Sequence, residues 1–298
     1  MNISDIRVNL DSWILHLSAE RKSPQTLKTY GDGVRAFIRW AESSGRDPVL
    51  DRPTVNAFVG ALLDGGATAS TARSRQLAVR RFSAWLAAEG ETDTDPLVSL
   101  KPPKLDDPVI PELDEDQLRA LIKACAASND FRARRDEAIV RLMAETGIRS
   151  GEVVAMTVGD VDLKTGVAIV RLGKGGKGRS IPFGPQTARA IDRYLRVRRQ
   201  HRMASLDALW LGDRQKGFGY QALYSALKTR SQNAGIEGFH PHVLRHTAAG
   251  RWLAAGGSEG GLMAMAGWSR RDMIDRYTRA TSERRAQDEA RRLGLGDW

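Results

Sequence analysis

Four short segments of the chain carry side chains that could do chemistry. They are TGIRSGE with Arg149, RLGKGGKGR with Lys174, HPHVLRH with Arg245, and AGWSRRDMIDRYT with Tyr277. Guanidinium and ammonium groups hold anions, an imidazole exchanges protons near neutral pH, and a phenol becomes a nucleophile when its proton is removed. Together these residue types indicate chemistry on an anionic group, although each segment also has an ordinary structural interpretation.

Arg149 follows Gly147, which we expect to end one helix just before another begins. Glu152 lies three residues further on, close enough to hold the guanidinium or to favour the helix N-terminus electrostatically. Taken alone, such a pair is more often a surface ion pair than a site.

Lys174 lies between VAIVRL and SIPF, two runs that predict strands. Its glycine-rich surroundings would let a ligand approach closely, but a mobile hairpin with solubilising charges is equally compatible. Gly173 and Gly178 have the spacing of a phosphate-binding loop. That interpretation fails because Arg179 replaces the required lysine and a strand, not a helix, follows.

His242 and Arg245 lie three residues apart on a helix whose first turn Pro241 predicts, so they share a face. His240, His242 and His246 could be taken for a metal cluster. No nearby acidic residue or cysteine completes the set, and Arg245 would lie among the ligands, so we predict no metal and no cofactor.

Two aromatic residues, Trp268 and Tyr277, lie nine residues apart near the end of the sequence. Either one alone is usually a core or surface aromatic side chain. Their position after His242 and Arg245 makes a shared site worth considering.

The net charge of +10 and the sequence pI near 10.0 favour a polyanionic partner, with nucleic acid the leading candidate over a membrane surface or the ribosome. The hydrophobic fraction of 41% is that of a globular protein. We find neither a signal peptide nor an apolar run of about 20 residues, and therefore expect a cytoplasmic protein. Cys125 lies in an apolar segment that predicts a small core residue.

Turn residues divide the first hundred residues into four predicted helices, and in the fourth Arg73 and Arg80 lie seven apart on one face. A proline-rich stretch at 95–111 predicts an interdomain linker. Beyond it we expect two helices, a short β region and four further helices. The predicted division is a domain at 1–98, a linker at 99–110 and a second domain at 111–298.

Taken in order, TGIRSGE, GKGGKGR, HVLRH and AGW with its tyrosine resemble the tyrosine recombinase family, also called phage integrases. SPQTLKTYGDGVRAFIRW resembles the core-binding region of Xer-type members. The resemblance implies a mainly α fold, with a helical SAM-like core-binding domain and an α+β catalytic domain that contains a small antiparallel sheet.

The resemblance also assigns roles to individual residues. Arg149 and Arg245 would clamp the phosphate, Glu152 would support the first arginine, and Tyr277 would attack to form a 3′-phosphotyrosine. His242 would accept the phenolic proton and Lys174 would protonate the departing 5′-oxygen. Trp268 stands where many members carry histidine, and its indole keeps an N–H donor. Residues expected to bind DNA are Lys28, Arg73, Arg80, Lys177 and Arg179.

The implied partners are double-stranded DNA with a specific core site and further copies of the chain, assembled as a tetramer around a Holliday junction. A directionality factor or partner recombinase is a further expected partner, and the expected location is the nucleoid. The AGWSRRDMIDRYT segment differs from that of chromosome-dimer-resolving Xer proteins, which favours a mobile-element integrase. Two alternatives stay open: a catalytically silent DNA-binding regulator, and a type IB topoisomerase-like enzyme that relaxes DNA.

Overall fold

The computed structural model describes residues 3–105, 111–171, 178–213, 217–268, 270–271, 273–274, 287 and 290–291. The chain divides into two compact units, Met1–Pro108 and Val109–Trp298. The finer division into a domain at 1–98, a linker at 99–110 and a second domain at 111–298 stays a proposal. Within the described part of the chain, no helix is both long enough and apolar enough to cross a bilayer.

In the described part of the first unit, four helices form a bundle, at the places where the turn residues predicted them. They are α1 (Ile3–Ala19), α2 (Pro24–Ser43), α3 (Arg52–Asp64) and α4 (Ala69–Ala88). The last three begin at polar caps, because Ser23, Asp51 and Thr68 each accept a hydrogen bond from the backbone N–H three residues on.

Two aromatic clusters form the core of the first unit. Trp13 packs against Phe82 in one cluster, and Phe37 packs edge-on against Phe58 in the other. Helices α2 and α4 approach closely at Gly33, where a Cβ atom would lie only 2.5 Å from the Cβ of Ala78. Burial of each large apolar side chain contributes about 1.5–3 kcal/mol, which holds the helices together.

The described part of the second unit consists mainly of helices and contains a small three-stranded sheet. Its helices are α5 (Glu115–Cys125), α6 (Phe131–Thr146), α7 (Ser150–Ala155), α8 (Pro185–Arg198), α9 (Tyr220–Asn233), α10 (Pro241–Ala254) and α11 (Glu259–Ala266), with a 3-10 turn at Val158–Asp160. The antiparallel sheet has the order β1 (Val161–Asp162), β2 (Val167–Val170), β3 (Arg179–Pro182). In its register Val161 is opposite Ala168, and Val170 is opposite Arg179.

Helix α6 is the centre of the second unit, packed against α5, α8 and α10. Ile139 and Met143 on it are fully buried, as is Cys125 at the end of α5. Burial, and then the nearby carboxylate of Asp136, raise the pKa of the Cys125 thiol to about 12, so the thiol stays protonated and unreactive. The cysteine is therefore a core residue.

Candidate active site

Arg149 is fixed at the junction between α6 and α7. Gly147 ends α6 in the left-handed conformation, with φ of 64°, and Ile148 is fully buried beside it. Arg149 then occupies the N-cap of α7. Oε2 of Glu152 accepts the Arg149 backbone N–H at 3.0 Å, and Oε1 accepts from Nη1 at 2.9 Å. Glu152 therefore holds both the backbone and the guanidinium of Arg149.

Arg245 lies on α10 with only 2% of its surface exposed. Its Nη1 donates to the carbonyl of Gly147, and its Nη2 donates to the carbonyl of Ala266 at 2.8 Å. The guanidinium also lies 5.0 Å from the centre of the Trp268 ring, which is itself buried. Carbonyl oxygens and an aromatic face thus fix the position of this cation.

The two arginines meet at the end of α11. Nη2 of Arg149 donates to the carbonyl of Gly267 at 2.9 Å, next to the Ala266 carbonyl that Arg245 uses. The turn that both contact leads directly into Trp268. The structure therefore brings Arg149, Glu152, Arg245 and Trp268 into one cluster.

His242 lies on the first turn of α10, one turn before Arg245, and part of its surface is exposed. Its ring packs edge-on to that of His246, with centroids 4.5 Å apart. Partial burial lowers the pKa of His242, and the charges of Arg245, His240 and Arg149 lower it further. The imidazole is therefore neutral at neutral pH and able to accept a proton. Among the residues described, no three His, Cys, Asp or Glu side chains cluster as metal ligands.

Arg179 lies in a different environment from the DNA contact that the sequence analysis expected. Its side chain is 11% exposed, and Nη1 and Nη2 donate to the two oxygens of Glu152 at 2.9 and 2.7 Å. Nε donates to the carbonyl of Met265 at 2.8 Å. Because all three nitrogens donate within the protein, these bonds favour a structural role for Arg179, and its expected contact with DNA stays a prediction. Strand alternation could have indicated this, since Arg179 and the buried Ile181 share one face of β3.

The other expected site residues fall into two groups. Lys174, Lys177 and Tyr277 lie outside the described residues, and their roles stay predictions. In the first unit, Lys28 and Arg73 are exposed on α2 and α4. Arg80 is half-buried and its Nη2 lies 3.4 Å from the carbonyl of Val98.

Two fixed arginines beside a histidine that can accept a proton, in a helical domain with a small antiparallel sheet, are suited to chemistry on a phosphate ester. The model of the phage integrase family matches residues 111–284, and that of the phage integrase N-terminal SAM-like domain matches residues 10–90. The chain belongs to the phage integrase family. The resemblance drawn from the four motifs is thereby confirmed, as is the expected fold class.

Curated relatives of similar length carry tyrosine recombinase names. The chain is 31% identical to tyrosine recombinase XerC of Pseudomonas fluorescens over 247 residues, 82% of each chain. It is 32% identical to tyrosine recombinase XerD of Neisseria meningitidis serogroup B over 231 residues, 77% of this chain and 78% of the relative. Its fold is similar to that of a lambda integrase tetramer bound to a Holliday junction, with a TM-score of 0.67 and 17% identity over 89% of this chain and 77% of the other.

Proposed function

We propose that this protein is a tyrosine-type site-specific DNA recombinase, which cuts one strand through Tyr277 and rejoins it to a different partner. Membership of the phage integrase family, together with relatives named as tyrosine recombinases, makes site-specific recombination its function. The observation that carries the assignment of residues is the anchoring of Arg149 and Arg245 on adjacent carbonyls, with the neutral His242 one turn away from Arg245.

The reaction that we propose is an in-line displacement at a backbone phosphate. The phenolic oxygen of Tyr277 forms a bond to phosphorus while the bond from phosphorus to the 5′-oxygen breaks. His242 takes the phenolic proton and Lys174 gives a proton to the departing 5′-oxygen. The resulting 3′-phosphotyrosine ester keeps the free energy of the phosphodiester bond that breaks, so a different 5′-hydroxyl can attack it later without ATP and release the tyrosine.

Electrostatics support the phosphate clamp. One carboxylate, Glu152, is shared between Arg149 and Arg179, while Arg245 is held by carbonyl oxygens and by the Trp268 ring. The cluster therefore keeps an excess of positive charge. A guanidinium carries five N–H donors, and the two bonds that hold the Arg149 side chain engage two of its nitrogens. Fixed cationic donors of this kind stabilise the charge that accumulates on nonbridging oxygens.

Double-stranded DNA and further copies of this chain are the partners that we propose. The lambda integrase of similar fold forms a tetramer on a Holliday junction, which supports the same arrangement here. We also propose a specific core site on the DNA and either a directionality factor or a partner recombinase. That the protein is the integrase of a mobile element stays a prediction. The two relatives quoted above carry Xer names.

Covalent capture tests the chemistry. A DNA duplex enriched from a random-sequence pool by binding to the full chain, then nicked near the cleaved position, should trap the protein as an adduct that survives denaturation. Tyr277→Phe should form none. Arg149→Ala or Arg245→Ala should slow adduct formation roughly 100- to 1,000-fold, because each removes a preorganised donor. Arg196→Ala is the matched control, since Arg196 is exposed and pairs with Asp192 on α8.

The joining of strands from two different DNA duplexes distinguishes a recombinase from a topoisomerase-like enzyme and from a silent DNA-binding regulator. Two duplexes with the same enriched site and different labels should yield molecules that carry one end of each. Relaxation of supercoiled DNA without such products would support the topoisomerase-like alternative. Tight binding with no adduct would support a silent regulator and overturn the proposal.

A further inference from the structure

Three arginines converge on the C-terminal end of α11. Arg179 donates to the carbonyl of Met265, Arg245 to that of Ala266, and Arg149 to that of Gly267. The last carbonyls of a helix have no partner within the helix and carry the negative end of its dipole, so cations bind there favourably. The three side chains come from β3, α10 and the start of α7, three elements that are distant in the sequence.

Glu152 links two of these arginines. Its oxygens accept Nη1 and Nη2 of Arg179 as a two-point fork, and Oε1 also accepts Nη1 of Arg149. Although burial alone would raise the pKa of Glu152, the bonds from Arg179 and Arg149 outweigh it and hold the pKa below its usual value. Glu152 is therefore ionised and holds both cations.

We infer that Arg179 is a positioning residue for strand transfer, because it fixes Glu152 and the end of α11 and thereby sets the placement of Arg149 and of the turn before Trp268. The inference rests on the proposed recombinase function. Arg179 would act through Glu152 and the Met265 carbonyl, to which its three nitrogens donate, rather than as a DNA contact.

The bonds between Arg179 and Glu152 also connect β3 of the sheet with the residue that holds Arg149. Residues 171–178 lie between β2 and β3 in the sequence and include Lys174, and Arg179 is the first residue of β3. At one end of this segment Arg171 pairs with Asp160 on the 3-10 turn, and at the other Arg179 pairs with Glu152 on α7. Arg179 thus ties the end of the lysine-bearing segment to the same carboxylate that holds Arg149.

Comparison of DNA affinity with adduct rate tests the inference on the full chain. Arg179→Ala should slow adduct formation on the enriched, nicked duplex roughly 10- to 100-fold, the order of loss that a small misplacement of reacting groups causes. Its affinity for the intact duplex, and the dependence of that affinity on salt, should match the wild type. A DNA contact would behave differently, with weaker binding and a salt slope lower by about 1.

Arg179→Lys guards against the case in which the alanine variant fails to fold. Lysine keeps a positive charge beside Glu152 but cannot make the fork and the Met265 bond together. We expect folding near that of the wild type by thermal denaturation, and adduct formation slowed about tenfold. A wild-type rate in Arg179→Lys would overturn the inference, as would equal losses in Arg179→Ala and in the exposed control Arg196→Ala.

A double-mutant cycle separates positioning from general structural damage. If Arg179 acts through Glu152 on Arg149, then adding Arg179→Ala to Arg149→Ala should slow the reaction much less than it slows the wild type. Losses that multiply would show that the two residues act independently and would overturn the inference. Should the wild type itself form no adduct, the recombinase proposal would fail instead, so the two failures are distinguishable.

Discussion

A histidine that accepts a phenolic proton must be neutral when the phenol attacks. The ordinary pKa of histidine is about 6.5, and partial burial, followed by the charges of Arg245, His240 and Arg149, lowers that of His242. A lowered pKa keeps the base unprotonated as the solution becomes more acidic. We therefore expect the rate of adduct formation to stay level through about pH 6.5 and to fall only at lower pH.

Single-turnover rates between about pH 5 and pH 8, measured with saturating DNA, check this expectation. His242→Ala should remove the acidic decline and lower the rate throughout. A decline that is centred above the ordinary histidine pKa, or one that persists unchanged in His242→Ala, would contradict the assignment of His242 as the proton acceptor.

Trp268 offers two features, an aromatic face and an indole N–H, and the structure shows the face in use against Arg245. Phenylalanine keeps a face and lacks the N–H. We expect Trp268→Phe to stay within about threefold of the wild-type adduct rate, and Trp268→Ala to slow it more than about tenfold because the Arg245 guanidinium then loses the aromatic face that helps to fix it. Equal losses in both variants would indicate that N–H donation is the function of the indole.

At the residue level, sequence reasoning found the individual groups better than their partners. Arg149, His242 and Arg245 stand out because residue type and local helical spacing suffice to suggest a shared site. The bond from Arg149 to the Gly267 carbonyl and the fork between Arg179 and Glu152 join residues 118 and 27 positions apart. Only tertiary packing decides such pairings, which is why the sequence did not indicate that Arg179 bonds to Glu152 and to the end of α11.

At the level of the elements, the end of helix α11 determines how closely Arg179 can approach the turn before Trp268. Helix α11 is only eight residues long, and it ends at Gly267 in the left-handed conformation, with φ of 64° and ψ of 47°. A Cβ atom there would lie 3.0 Å from Nη1 and 3.1 Å from Cζ of Arg179. The glycine thus permits both the turn before Trp268 and the close approach of the arginine.

Gly267→Ala should therefore disturb the site as well as the turn. We expect a cost of about 1–2 kcal/mol in the free energy of unfolding, since a side chain is strained in this conformation. Adduct formation should slow by more than the loss of folded protein explains. Gly235→Ala is the matched control, because Gly235 follows α9 with φ of 70° and has nothing within 4 Å of an added Cβ. If both variants keep the wild-type rate, the contact between Gly267 and Arg179 has no role in positioning.

Helices and strands differed in how well the sequence indicated them. Caps such as Ser23 and the left-handed Gly147 mark helix ends through local chemistry, so the helices were predictable. Strand β1 has only two residues and was not predicted, because its extended conformation depends on pairing with β2 rather than on its own pattern. The antiparallel pairing of β2 with β3 followed from the glycine-rich segment between them.

For the whole molecule, the dominant feature is a positive charge of +10 spread over a chain with two compact units. The arginines around Glu152 are largely enclosed and bonded within the protein, so we expect exposed cations elsewhere to make most of the phosphate contacts along the duplex. Two exposed cations of the first unit, Lys28 and Arg73, are therefore better candidates for phosphate contacts than the enclosed arginines. We expect Arg80, whose Nη2 lies 3.4 Å from the Val98 carbonyl, to stabilise the first unit rather than to contact DNA.

The salt dependence of DNA binding tests this division of roles. Neutralising Lys28 and Arg73 together should lower the slope of log affinity against log salt by about 2, one for each phosphate that the protein no longer neutralises, while the adduct rate at saturating DNA stays at the wild-type value. Arg7→Ala is a matched control, because Arg7 is exposed in the same unit but already pairs with Glu42.

Arg80→Ala should lower the melting temperature and leave the salt slope unchanged. The opposite result would be a salt slope that falls in Arg80→Ala and keeps its wild-type value when Lys28 and Arg73 are both neutralised. That result would show that Arg80 contacts DNA and that Lys28 and Arg73 do not, and it would place the DNA-binding face of α4 on the side of Arg80.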